Sequence, residues 1–270
     1  MLIDDFINLK KDNIQSGGSN KQCFIFDEYV LLYGSFREEE LKKEMSISNN
    51  LKKRGIALIP TLEYKIVTPV GQFGYVKGYM LQSRAKGDWL YNRNMKDEEY
   101  KKRLKQIANM DDDKLNKFIS DWLAIVDAGL QVDPSKAENF FYSNGEISFI
   151  DLNLRQGPRP LLKITFLEIA SVLTGLGLVS KITSSSEDCI KIVKNVAHSF
   201  LLKGLDINQI KKVLSSHSYL LGNFINERQI DYIIESLNKE QKYKQVTLDM
   251  KEETEKLILN NKRFKEEYSV

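Results

Sequence analysis

The chain has 270 residues, 42% of them hydrophobic, with 40 Lys and Arg against 37 Asp and Glu for a formal net charge of +3. That is enough apolar material for one large domain or a two-lobed one, and the near balance of interspersed charges argues against nucleic acid as a partner. The apolar runs are too short for a bilayer span or carry Glu168, no basic stretch precedes an apolar core at the start, and Cys23 and Cys189 make neither a metal quartet nor a disulfide framework, so neither a membrane anchor nor a signal peptide is expected and a reducing cytoplasm is the expected compartment.

Residues 1–12 place Leu2, Phe6, Ile7 and Leu9 at helical spacing, a short amphipathic lead-in. The loop Gly17-Gly18-Ser19-Asn20 precedes two aromatic and branched runs, KQCFIF and EYVLLYG, which read as strands turning at Asp27-Glu28. A glycine loop of this kind brings backbone N–H groups against phosphate, although a plain turn is the simpler reading of two glycines alone. Residues 37–54 carry acids early and bases late, as the helix dipole prefers, and end at Gly55, a fitting C-cap. Three further runs, IALIP, LEYKIVT and FGYVKGYMLQ, read as strands. After a polar, glycine-bearing linker the pattern becomes helical, broken by one hairpin. The spacing predicts a bundle from residue 161 onward and a charged, solvated helix or tail over 242–270. The fold class expected is therefore α+β, with a small strand-rich lobe over 1–82, a hinge over 83–88 and a larger helical lobe over 89–241.

The stretch from Gln131 to Asn153, QVDPSKAENFFYSNGEISFIDLN, concentrates the chemistry. If FFY and ISFI are hairpin arms turned by Ser143-Asn144-Gly145, the ends of the hairpin meet, and Asp133, Asn139 and Asp151 share one cleft. Two carboxylates and an amide suit Mg²⁺, which binds through few protein oxygens plus substrate phosphates. Taken singly, Asp133-Pro134-Ser135 is also a helix-starting turn and Asp151 a buried turn former.

VDPSKAENFFY followed by FIDLN resembles the catalytic loop and metal-binding motif of the protein-kinase-like fold, HRDxxxxN and then DFG. The looseness of the match is similar to the atypical, aminoglycoside-phosphotransferase-like and HipA-like branches. Asn139 follows Asp133 by six residues, not five; no His or Arg precedes Asp133; and Asn153 stands at the motif's Gly. The resemblance implies a bilobal fold, ATP and Mg²⁺ as cofactors, and transfer of a phosphoryl group to a hydroxyl-bearing acceptor, protein or small molecule. Asp133 would be the catalytic base, Asn139 and Asp151 the metal ligands, and Gly17, Gly18 and Ser19 the phosphate loop. The third strand has no lysine, with Tyr33 near the expected position, whereas GSNK resembles the GSFK of the with-no-lysine kinases. Lys21 is then the phosphate cation, and Glu44, or Glu40 one turn away, its helix partner.

Two further functions stay open: a pseudokinase acting as a nucleotide-sensing or protein-binding scaffold, and a kinase-fold AMP transferase. His198 and His217 sit on helical patterns without a nucleophile at catalytic spacing and read as structural. Arg155, Arg159 and Lys163 form a short basic loop after Asp151, either an exposed loop or a set of cations for an acidic acceptor.

Overall fold

Alternation of side chains between two faces of a sheet organises the first part of the chain. In this computed structural model residues 2–9, 14–15, 21–69, 74–92, 94–136, 139–175, 187–217 and 225–268 are described; the loop with Gly17, Gly18 and Ser19 lies outside them. Helix α1 (Leu2–Leu9) is followed by strands β1 (Ile14–Gln15), β2 (Lys21–Ile25) and β3 (Tyr29–Arg37), helix α2 (Glu38–Lys53), and strands β4 (Thr61–Pro69) and β5 (Tyr75–Ser83). The five strands form one antiparallel sheet in the order β1-β2-β3-β5-β4.

Residues directly opposite in an antiparallel pair share a face, so the register Phe24↔Leu31↔Leu81 and Cys23↔Leu32↔Met80 defines the two sides of the sheet. Phe24, Leu31, Tyr79 and Leu81 pack beneath Ile3 of α1, and Leu32, Phe36 and Met80 pack against Leu41 and Met45 of α2. The predicted hairpin between the KQCFIF and EYVLLYG runs is present, and α2 stops before Gly55, whose φ of +83° suits glycine.

One expected strand is absent. IALIP, residues 56–60, makes a single parallel bridge from Leu58 to Phe149 instead of joining the sheet. Its backbone bonds go to the other lobe: Ile59 N–H donates to the Phe149 carbonyl and Phe149 N–H to the Ala57 carbonyl, each at 2.9 Å. Leu58 and Pro60 are buried and the rest of the run is half-buried against the helical lobe, which sequence periodicity does not distinguish from burial within a sheet.

The second part is mainly helical. It contains β6 (Asp88–Trp89), α3 (Asp97–Ala108), α4 (Asp112–Asp127), β7 (Leu130–Gln131), β8 (Phe140–Ser143), β9 (Glu146–Phe149), β10 (Asn153–Leu154), α5 (Leu162–Thr174), α6 (Glu187–Leu201), α7 (Ile207–His217) and α8 (Glu227–Tyr268). The architecture is α+β and two-lobed, a small antiparallel sheet ahead of a larger helical part, as expected.

The hairpin β8–β9 has the predicted Asn-Gly turn. Asn144 and Gly145 both have positive φ, 51° and 82°, the backbone whose twist matches that of a two-residue hairpin. Phe140, Ile147 and Phe149 face the helical core, where Phe149 stacks on Phe118 at 5.2 Å and Phe140 on Trp122 at 5.5 Å. That aromatic block anchors the hairpin and hence the two ends that lead to Asn139 and Asp151.

Helix α8 runs without interruption through residue 242, where the composition turns charged. Its first turns bury Ile230, Ile233, Ile234 and Leu237, while Tyr243, Leu248 and Met250 stand exposed. No helix among the described residues is long and apolar enough to cross a membrane. Cys23 and Cys189 are not joined in a disulfide.

Candidate active site

Lys21 is the first residue of β2 and lies opposite Gly34 of β3. That register puts it on the same face as Leu32, the face covered by α2. Tyr33, the residue near the expected lysine position, is on the other face, with its ring 4.7 Å from that of Tyr79. A lysine at 33 would thus point away from α2, whereas Lys21 points toward it. Its Nζ lies 3.3 Å from Oδ1 of Asp151, and the two side chains are 34% and 39% exposed.

Asp151 follows β9 and has a φ of +51°. Left-handed backbone costs a non-glycine residue about 1 kcal/mol, least for Asp and Asn, and persists where the surroundings over-determine it. Here the constraint comes from both sides. Ile150 N–H donates to the Asn139 carbonyl at 2.9 Å, which continues the hairpin pairing up to Asp151. Immediately afterwards Asn153 and Leu154 pair with Gln131 and Leu130.

Glu44 of α2 joins this pair. Burial raises its carboxyl to about 7; the nearby Lys21 opposes that rise and Asp151 adds to it. Glu40, the other candidate partner, turns aside to Arg37 at 2.8 Å. The helix therefore offers Glu44, not Glu40, to the Lys21–Asp151 pair, and the lysine bonds the aspartate directly.

Asp133 lies on the wall of an acidic cleft of about 250 Å³ together with Glu40, Glu44, Gln131, Asn153 and Gln156. Its carboxylate accepts the Ser135 hydroxyl at 2.6 Å and the Ser135 N–H at 3.0 Å, and it pairs with Lys136 at 3.4 Å. Burial pushes its pKa up, but these three interactions outweigh burial and leave it below the ordinary carboxylate value. The turn-forming role that Asp-Pro-Ser suggests is thus real, and it coexists with exposure to the cleft.

Asn139 is 5% exposed, and its Nδ2 has no hydrogen-bond partner. A buried amide group left unsatisfied costs about 1–3 kcal/mol, and the side-chain N–H donors of Asn139 are in that position, while its backbone carbonyl accepts from Ile150 N–H. Among the described residues no three His, Cys, Asp or Glu side chains gather for a metal ion. By residue type, Asp151 and Asn139 would suit Mg²⁺, which keeps most of its shell for water and phosphate.

Several residues outside the sequence-derived set shape the site. Gln131, Asn153 and Gln156 line the cleft, the first two brought there by β7–β10 pairing; amides on two-residue strands carry no periodic signal. Asp121 of α4, 4% exposed, accepts the Ala57 N–H at 3.0 Å and the Lys117 ammonium at 2.8 Å, tying the end of α2 to the helical lobe. Arg155 donates to the Val126 carbonyl at 2.6 Å and Arg159 pairs with Asp127 at 2.8 Å, both at the end of α4. His198 lies 3.5 Å from Glu240, joining α6 to α8.

No protein-family model and no curated protein matches this sequence. Among solved structures it is similar to WaaP in complex with acyl carrier protein, at 12% identity over 85% of this chain and 91% of that one with a TM-score of 0.45. It is also similar to the Cydia pomonella granulovirus kinase PK-1, at 11% identity over 79% of this chain and 97% of that one with a TM-score of 0.40. A third is the Legionella pneumophila LegK7 effector kinase, at 10% identity over 87% of this chain and 66% of that one with a TM-score of 0.38. At this distance the chemistry has to be argued from the chain's own side chains.

Proposed function

We propose that this chain is a kinase-like phosphotransferase that moves the terminal phosphoryl group of ATP to a hydroxyl on a protein or small-molecule acceptor, with Mg²⁺ as cofactor. The observation that carries this reading is the meeting of Lys21 and Asp151 across 130 residues, 3.3 Å apart and within electrostatic reach of Glu44. A phosphate cation, a metal-binding carboxylate and a helix glutamate are the charges that phosphoryl transfer requires, because its catalysis is positioning and charge neutralisation.

In this reading the nucleotide lies between the sheet and the helical lobe, with Gly17, Gly18 and Ser19 against its phosphates. Lys21 pairs with phosphate oxygens, and Asp151 and Asn139 hold the Mg²⁺, which supplies neutralisation of the phosphate charge. Asp133 orients the acceptor hydroxyl and receives its proton as the oxygen bonds to phosphorus and ADP departs. The lowered pKa of Asp133 suits orientation better than strong base catalysis. The lobe limits at 82 and 88 belong to the same proposal.

A scaffold that binds nucleotide without turnover is the second reading. It is favoured by the engagement of the Asp133 carboxylate with Ser135 and Lys136. Thermal unfolding with ATP and Mg²⁺ comes first: both readings require a metal-dependent rise in the midpoint, and Asp151→Ala should remove it. No rise in the wild-type chain sinks the nucleotide-binding site. Turnover then separates the two. As a phosphotransferase, Asp133→Ala lowers kcat about 100-fold and leaves nucleotide affinity unchanged; unaltered turnover in that variant excludes the assigned base. The mass of the product, phosphate or AMP added, distinguishes phosphoryl from nucleotidyl transfer.

A further inference from the structure

Lys21 does more in this geometry than wait for phosphate. Its ammonium occupies Oδ1 of Asp151, the carboxylate assigned above to the divalent ion. The backbone of Asp151 cannot carry its carboxylate away from the lysine: Asn139 and Ile150 hold the chain before it, and β7–β10 pairing holds the chain after it. The side chain of Lys21 can swing away, since it starts at the end of a strand and is about one-third exposed. A metal about 2.0–2.1 Å from either oxygen of that carboxylate would stand close to the ammonium, and the two cations would repel each other while drawing on the same negative charge.

We propose that Lys21 and the divalent ion compete for Asp151, so that the site takes up metal readily only after a triphosphate has drawn the lysine off the carboxylate. This rests on the reading of Asp151 as a metal ligand. The phosphate then does two things at once: it supplies oxygen ligands, and it accepts the ammonium that had neutralised Asp151. Metal and nucleotide therefore bind with positive coupling, and by linkage each strengthens the other by the same factor. Part of that coupling comes from releasing the lysine, and this part is a property of Lys21 alone.

The test uses the full chain at low ionic strength, with Mn²⁺ as the metal probe, measured by its electron paramagnetic resonance signal, and adenylyl imidodiphosphate as a triphosphate that does not turn over. For the wild type, Mn²⁺ should bind weakly alone and more tightly with the analogue, and adenosine should give no enhancement. Lys21→Gln should bind Mn²⁺ alone about fivefold more tightly, the upper range for a part-exposed ion pair, and should lose a similar factor from the enhancement. Lys21→Arg, which keeps the pair, should stay within about twofold of wild type. Circular dichroism verifies the fold of each variant, and Lys21 lies at a strand end where substitution leaves the core intact.

If Lys21→Gln leaves Mn²⁺ affinity unchanged while Asp151→Asn abolishes binding, the competition is refuted and the metal site stands. If Asp151→Asn leaves Mn²⁺ binding intact, the assignment of Asp151 fails and the competition with it.

Discussion

The carboxylate of Asp121 accepts the backbone N–H of Ala57 at 3.0 Å, a bond that joins the segment after α2 to the helical lobe. Lys117 closes the arrangement by donating to Asp121 and to the Gly55 carbonyl. Asp121→Ala leaves the Ala57 donor without its partner and should destabilise the chain by about 2 kcal/mol, within the range for an orphaned buried group. Asp121→Asn keeps an oxygen for Ala57 and should cost less. Urea unfolding measures both, and amide hydrogen exchange at Ala57 should quicken in the alanine variant. Equal stability of Asp121→Ala and wild type would remove this anchor from the account.

Stability should fall as pH rises through the acid range. Glu44 and Glu168 both have carboxyls raised to about 7, Glu168 by burial alone. A raised carboxyl favours the protonated folded state, so the penalty for ionising it is absent below about 4.5, its value in the unfolded chain, and complete above about 7. Each group contributes about 2 kcal/mol after allowance for partial contact with water. Unfolding midpoints between pH 4.5 and 7.5 should show the decline, and Glu44→Gln and Glu168→Gln should each flatten it. An unchanged profile in both variants would show that neither carboxyl is perturbed.

Gly87 sits in the segment between the sheet and β6, with a φ of +89° and room for no side chain: an added Cβ would lie 2.3 Å from the Tyr142 carbonyl. Gly55 has a similar φ of +83°, with nothing within 4 Å of the added atom. Gly55→Ala should therefore cost about 1 kcal/mol from backbone strain alone, and Gly87→Ala about 3 kcal/mol because the β8 backbone must also move. Chemical denaturation of the two variants side by side separates strain from collision. Equal losses would mean that the segment near Gly87 shifts freely.

Tyr91 and Tyr100 cap the end of α5. Their hydroxyls donate to the Leu173 carbonyl at 2.8 Å and the Thr174 carbonyl at 2.6 Å, groups that a helix end leaves unpaired. Tyr100→Phe and Tyr91→Phe should each lower stability by about 1–2 kcal/mol. The double variant should lose less than the sum, since both act on one helix terminus. Thermal unfolding of the three chains checks the cycle, and strict additivity would show two independent bonds.

Local patterning made much of this molecule legible. The Asn144-Gly145 turn could be read because only a few residues adopt positive φ at both central positions, and the β2–β3 hairpin, α2 and its Gly55 stop followed from alternation, charge placement and glycine. The same logic misled at residues 56–60. An apolar run records that it is buried but not what buries it, and there the answer was the other lobe, through Phe149 and Asp121.

At the candidate site the residue types were visible in the chain, and their partners were not. Two acids, an amide and a lysine could be picked out by kind and order, since oxygen donors and cations are chemical properties of single residues. Folding decided that Lys21 faces α2 while Tyr33 faces α1, because strand register sets the face. It also decided that Glu44 rather than Glu40 is close to the pair, because Arg37 draws Glu40 away. Distances across 130 residues of chain arise only when a sheet, a helix and a hairpin are packed against one another, and no local pattern encodes the sum of those contacts.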